Sequence, residues 1–293
     1  ALWSTVFPIG KWLVTFSTPV FLTGVRMLFA GLLLVGFLAI RKRAALKLNR
    51  RQFFSIAVLA ILSIYLTNVL EFYGLKHLSA AKTCFIYSLS PFFAALFSFI
   101  HFKEKMTKIK WLGLLIGFAG MIPVLMTQNE GDMKSVFLIL SIPELAVMLA
   151  ALLSVYGWVV LRMVVKNDNI PPATANGLSM LMGGGLALIH SFITEGWNPL
   201  PIAPGGAGAV IQGTLILTIL SNVICYNLYG HLLKRFTATL MSFFGLLSPI
   251  FASLTGWIIL GERPSMIIIL STGIVAIGLY TVYRAELKQG YFK

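Results

Sequence analysis

Four ionisable side chains stand inside long apolar stretches of the chain: Lys11, Arg26, Glu71 and Lys82. In hydrocarbon each such group costs about 2.5–3.5 kcal/mol at the bilayer centre, so each is a site candidate. Arg26 either meets a substrate carboxylate or phosphate through its planar fork or braces a helix end. Lys11 either reaches the substrate or snorkels to an interface. Asn68 and Glu71 are three apart and share one helix face. Glu71 pairs with a substrate ammonium, loads a proton, or bridges to Lys82. Lys82 follows the same logic with the signs reversed. Asn222 and Tyr226 are four apart on a later segment. Tyr226 and Asn227 hydrogen-bond either a substrate or a neighbouring helix. Trp3, Tyr87, Tyr156 and Trp158 either wall a cavity, with cation–π contacts, or pack and face lipid. Glu144 reads as a solvated helix start.

These residues need elements to hold them. The chain has 293 residues, 58% hydrophobic and 11% charged, with mean hydropathy +0.89. A soluble domain carries about 25% charged residues, so the expected solvent is lipid. A membrane-crossing helix needs roughly 20 apolar residues. Ten candidates follow, at about 1–14, 18–40, 52–72, 79–101, 109–127, 139–162, 174–193, 207–232, 237–260 and 265–283. Runs of this length exclude a barrel of short alternating strands. The fold class expected is all-α integral membrane. The chain opens at Ala1 inside an apolar segment, which reads as a trimmed first helix rather than a signal peptide.

Basic residues set the orientation. "RKRAALKLNRR" carries six and "HFKEKMTKIK" four. With Arg162, Lys166, Lys234, Arg235, Arg284, Lys288 and Lys293, seventeen of the 23 fall on one side. Both termini are therefore expected in the cytoplasm. The +14 net charge reads as this bias and not as a nucleic-acid surface.

The chain also repeats itself. "SLSPFFAALFSFIHFKEK" (88–105) and "LLSPIFASLTGWIILGER" (246–263) align at an offset of 158. "TGVRMLFAGL" and "NGLSMLMGGG" align at 153, setting Gly24 on Gly177, Leu28 on Leu181 and Gly31 on Gly184. "TNVLEFYG" resembles "SNVICYNLYG". The order is kept, which implies two five-helix halves, 1–127 and 139–293, joined by 128–138. Five is odd, so the second half enters the membrane inverted, an architecture of secondary transporters. Pro91 and Pro249, equivalent in the repeat, are expected to kink helices that rock.

"ALWSTVFPIGKWLV…TPVFLTGVRMLFAGLLL", with Trp3, Lys11 and Arg26, and "SPIFASLTGWIILGER" resemble the EamA-type drug/metabolite transporters. The first half departs from that pattern at "FKEK", Glu71 and Lys82. The resemblance implies ten helices, a central cavity and transport of small metabolites without ATP, among them amino acids, cationic drugs, S-adenosylmethionine, sugar phosphates and nucleotide sugars.

The expected function is a secondary carrier, not an enzyme, moving an amino acid or an amino-acid derivative such as S-adenosylmethionine across a bacterial inner membrane. Mixed charge at Lys11, Arg26, Glu71 and Lys82 suits a zwitterion. A cationic-drug carrier and a non-transporting receptor or scaffold are the alternatives. No GxxxxGK[ST] loop is present, the four histidines lack metal-ligand spacing, and Cys84 and Cys225 read as packing residues. The expected partners are a small-molecule substrate and membrane lipid, with a coupling proton or counter-substrate, in a monomer or homodimer. No cofactor or metal is expected.

Overall fold

The computed structural model describes residues 5–78, 83, 86–127, 141–197, 199–247, 251 and 266–290. Among them the chain is helical, with no strand beyond one bridge pairing Ser17 with Ile202. Trp3, Lys82 and Pro249 lie outside the described residues.

The helices run in chain order as α1 (Val6–Leu13), α2 (Pro19–Arg41), α3 (Arg50–His77), α4 (Ser90–Phe102), α5 (Lys108–Thr127), α6 (Ile142–Asn167), α7 (Pro172–Glu195), α8 (Ala207–Leu232), α9 (Ala238–Leu247) and α10 (Met266–Lys288). Five of them, α2, α3, α6, α7 and α8, are long and apolar enough to cross a membrane. Their outward faces are apolar too: Phe37, Phe54, Ile189 and Phe192 are exposed. In water such a face would associate; in lipid it needs no partner.

Local sequence explains the helix starts. Prolines stand in the first turns of α2, α6 and α7, where a missing N–H costs no hydrogen bond. Asn49 with Gln52, and Ser141 with Glu144, form reciprocal capping boxes. Glu144 is therefore a buried cap at the start of α6 and not a solvated residue. Pro91 also stands in a first turn, that of α4. The expected mid-helix kink is replaced by a break at Ser88–Leu89, where the backbone turns before α4 begins.

α3 and α8 share an irregularity. Each widens to a π-helix, at Ala60–Leu66 and at Thr218–Cys225, and each carries the matching asparagine there or just beyond, Asn68 and Asn222. Such widened turns free backbone carbonyls and recur at functional sites.

Two helix pairs pack through glycine. A Cβ added at Gly31 would lie 2.5 Å from the Leu181 backbone nitrogen, and one added at Gly184 would lie 2.4 Å from that of Leu28. Gly24 meets Leu188, and Gly177 meets Leu34 and Val35. Residue numbers rise along α2 as they fall along α7, so the pair is antiparallel. α5 and α10 cross the same way, with Gly113 and Gly117 against Gly278 and Gly120 against Ile274.

Two buried ion pairs join helix ends. Arg162 of α6 meets Glu104, just past α4, at 2.5 Å. Lys110 of α5 meets Glu286 of α10 at 2.9 Å, and Glu286 also accepts from the Thr237 hydroxyl at 2.6 Å. With Gln289 donating to the Lys105 carbonyl at 3.0 Å, the ends of α4, α6 and α10 and the starts of α5 and α9 gather at one end of the molecule. The basic-poor loops meet elsewhere: Ser17 donates to the Pro201 carbonyl at 2.7 Å, and Ala203 to that of Phe16 at 2.7 Å.

Candidate functional site

A cavity of about 680 Å³ is lined by residues drawn from 6–90 and 154–283. That lies in the range of roughly 300–1,000 Å³ typical of small-molecule sites. α2 and α3 position its polar end. Arg26, 2% exposed, lines the wall. Its Nη2 donates to the Asn68 side-chain oxygen, and its Cζ lies 4.8 Å from the Phe72 ring centroid. Nε and Nη1 have no hydrogen-bond partner among the described residues.

Asn68 is held from behind by the π-helical turn. Its Nδ2 donates to the carbonyls of Ile64 at 2.8 Å and Ser63 at 3.2 Å. The widened turn supplies those acceptors, and the amide then presents its oxygen to Arg26. Tyr226 of α8 lines the same cavity. One helical turn on, Glu71 is 8% exposed and accepts from the Tyr87 hydroxyl at 2.7 Å. The site therefore holds a guanidinium and a carboxylate on one wall. A buried charge of either sign is costly unless paired, and a zwitterion answers both at once.

α6 and α8 add aromatic lining. Trp158 packs against Tyr229, with ring centroids 4.3 Å apart and planes at 38°, and against Tyr226 at 5.0 Å and 49°. Ser154 and Ser221 add hydroxyls, and Leu232, Phe236, Leu240 and Met241 complete an apolar floor.

Of the residues expected from sequence, Arg26, Asn68, Glu71, Tyr87, Trp158 and Tyr226 are brought together here. Four others are placed elsewhere. Lys11 donates to the carbonyls of Leu75 at 2.7 Å and Leu78 at 2.8 Å, which caps the C-terminal end of α3. A cation on open carbonyls at a helix end is favourable there, and this holds the ammonium away from the cavity. Tyr156 packs edge-on against Phe97 at 5.2 Å and beside His101. Asn227 accepts from Asn176 of α7 at 3.3 Å. Asn222 is fully buried behind the wall, with its Nδ2 on the Met27 sulfur at 2.8 Å.

Sequence reasoning missed Tyr229 and Ser154. Tyr229 lies three residues past Tyr226, on the same helix face, and that spacing is the signal that could have found it. Among the described residues no group of histidine, cysteine or acidic side chains could hold a metal ion.

The sequence pattern of the EamA-like transporter family matches residues 1–126 and 141–284. The protein of Chlamydia muridarum named S-adenosylmethionine/S-adenosylhomocysteine transporter is 38% identical over 291 residues, covering 99% of this chain and 91% of that one. Its namesake in Chlamydia trachomatis serovar D is also 38% identical, over 99% and 88%. A chloroplastic WAT1-related protein of Arabidopsis thaliana is 27% identical over 97% of this chain and 67% of its own. A solved protein structure superposes with a TM-score of 0.75 over 97% of this chain and 94% of that one, at 17% identity, a likeness of fold.

Proposed function

The chain belongs to the EamA-like transporter family, and from that premise we propose that it exchanges S-adenosylmethionine for S-adenosylhomocysteine across a bacterial inner membrane. The observation that carries this reading is one cavity lined both by Arg26 and Glu71 and by the Trp158–Tyr229 aromatics. An α-carboxylate fits the free nitrogens of Arg26, an α-ammonium fits Glu71, and a purine or a sulfonium fits aromatic faces. The names of the Chlamydia relatives, at 38% identity over nearly the whole chain, point to the same cargo. A plain organic cation suits the site less well, because Arg26 would stand unpaired beside it.

In this reading ten helices form two inverted halves, 1–127 and 139–293, with both termini in the cytoplasm. The antiparallel crossing of α2 with α7 and of α5 with α10 supports it, because equivalent helices of two like-oriented halves would enter the membrane in the same direction. No ATP is consumed. The halves trade conformations around a fixed midplane site, and the aminoacyl end of the cargo bridges Arg26 and Glu71 in each state.

A thermal-stability screen of purified protein tests the cargo. A ligand at 100 times its dissociation constant stabilises the folded form by about 2.7 kcal/mol. S-adenosylmethionine and S-adenosylhomocysteine should raise the midpoint, while tetraphenylphosphonium and triose phosphate leave it unmoved. Stabilisation by the cation and not by either adenosyl compound would overturn the assignment.

A further inference from the structure

The two sides of the cavity are chemically unlike. Both charged groups among its described lining residues, Arg26 and Glu71, come from the first half, together with Asn68 and the Tyr87 hydroxyl that serve them. The described lining from residue 141 onward carries no charged side chain and supplies most of the ring surface, centred on Trp158 and Tyr229. A pseudo-symmetric pair of halves has no need to differ in this way. The difference matches a ligand with two unlike ends.

We propose that the halves divide the cargo: Arg26 and Glu71 take the amino-acid group, the Trp158–Tyr229 platform stacks the purine, and only a ligand carrying both ends draws the halves together. This rests on the reading of the cavity as an S-adenosylmethionine site. A ligand shifts a conformational equilibrium only by the difference in its affinity for the two states. Methionine touches the first half alone and binds open and closed forms nearly equally. Adenosine touches the second half alone, with the same result. The joined molecule makes contacts in the closed form that neither fragment makes, so closure itself is the filter. Sulfonium and thioether ligands carry the same two ends, so both are accepted. Trp158 and Tyr229 are then the residues that set specificity against free amino acids.

The test is exchange in proteoliposomes holding the full chain. Vesicles are loaded with S-adenosylhomocysteine, methionine, adenosine, or methionine plus adenosine, and uptake of labelled S-adenosylmethionine is followed. Only S-adenosylhomocysteine should drive uptake. Outside the vesicle, it should compete at concentrations well below either fragment or the mixture, about 100-fold below methionine, a factor set by base–aromatic stacking. Tyr229→Leu should cut that advantage over methionine at least tenfold, and Tyr229→Phe should keep it, because the ring is what stacks. Exchange driven equally well by internal methionine overturns the division while leaving the transport function standing. An undiminished advantage in Tyr229→Leu and Trp158→Leu does the same. Absence of any S-adenosylmethionine uptake overturns the function, and this inference with it. The wild-type comparison needs no variant, so misfolding of a mutant leaves the answer intact.

Discussion

Gly31 and Gly184 make one contact in two directions. Gly31 of α2 leaves room for Leu181 of α7, and Gly184 of α7 leaves room for Leu28 of α2. At the offset of 153, Gly31 is the counterpart of Gly184 and Leu28 of Leu181, so each member of one pair is replaced by its equivalent in the other. A two-fold axis between the helices produces that reciprocity. Gly24 with Leu188 and Gly177 with Val35 repeat it one step further out.

The neighbouring glycines give a controlled prediction. A methyl on Gly184 would stand 2.4 Å from a backbone nitrogen, while one on Gly185 meets nothing within 4 Å. Gly184→Ala should destabilise by about 1–3 kcal/mol through overpacking. Gly185→Ala should be neutral or stabilising, up to about 1 kcal/mol, because it stiffens a helix interior. Unfolding midpoints in detergent check the pair.

Arg26→Lys keeps the charge but loses the planar fork that serves Asn68 and leaves two nitrogens for a carboxylate. Transport should fall at least tenfold, about 1.4 kcal/mol, with the unfolding midpoint nearly held. Initial rates of labelled S-adenosylmethionine uptake read this directly.

Glu71→Gln removes the carboxylate while leaving a hydrogen-bond acceptor for Tyr87. The protein should stay monodisperse, and exchange should drop steeply. Tyr87→Phe removes one hydrogen bond to a charged partner, about 1.5–3 kcal/mol, and should leave the carboxylate able to bind. Unchanged uptake in Glu71→Gln would remove this residue from the site.

Lys11→Met should separate capping from binding. Lys11 ties α1 to the end of α3, so its loss should lower the unfolding midpoint and leave the substrate KM alone. A raised KM with unaltered stability would return Lys11 to the cavity.

The buried pair of Glu104 with Arg162 predicts non-additive stability. Glu104→Gln alone should cost about 3–5 kcal/mol by stranding a buried guanidinium. Adding Arg162→Met should recover part of that loss. A thermodynamic cycle on the two single variants and the double measures the coupling.

How much of this was legible follows from what the bilayer makes expensive. Arg26 and Glu71 stand out in the sequence because an ionisable side chain in an apolar run needs a reason. Asn68 follows from its spacing to Glu71. Lys11 shows the limit: spacing gives depth along a helix but not the direction of a long side chain, and the open carbonyls at the end of α3 outbid the cavity. The partners of Glu104, Lys110 and Arg162 stand far off in sequence, and only packing joins them. Glu286 is hidden in the same way at the end of α10. Pro91 looked like a kink because the apolar run continues through it. The chain instead turns at Ser88–Leu89, so the proline falls in a first turn, where its ring fits. The π-helical turns of α3 and α8 left no mark in composition, since they change hydrogen-bond register and not residue type.

We propose that Arg26 and Glu71 hold the amino-acid end of an adenosyl cargo that crosses by exchange. It is tested most directly by uptake of labelled S-adenosylmethionine into proteoliposomes, loaded with S-adenosylhomocysteine or empty, for the wild type, Arg26→Lys and Glu71→Gln. Rapid uptake by the wild type into loaded vesicles, little into empty ones, and at least a tenfold loss in both variants are expected. Equal uptake by all three proteins, or none by any, would contradict it.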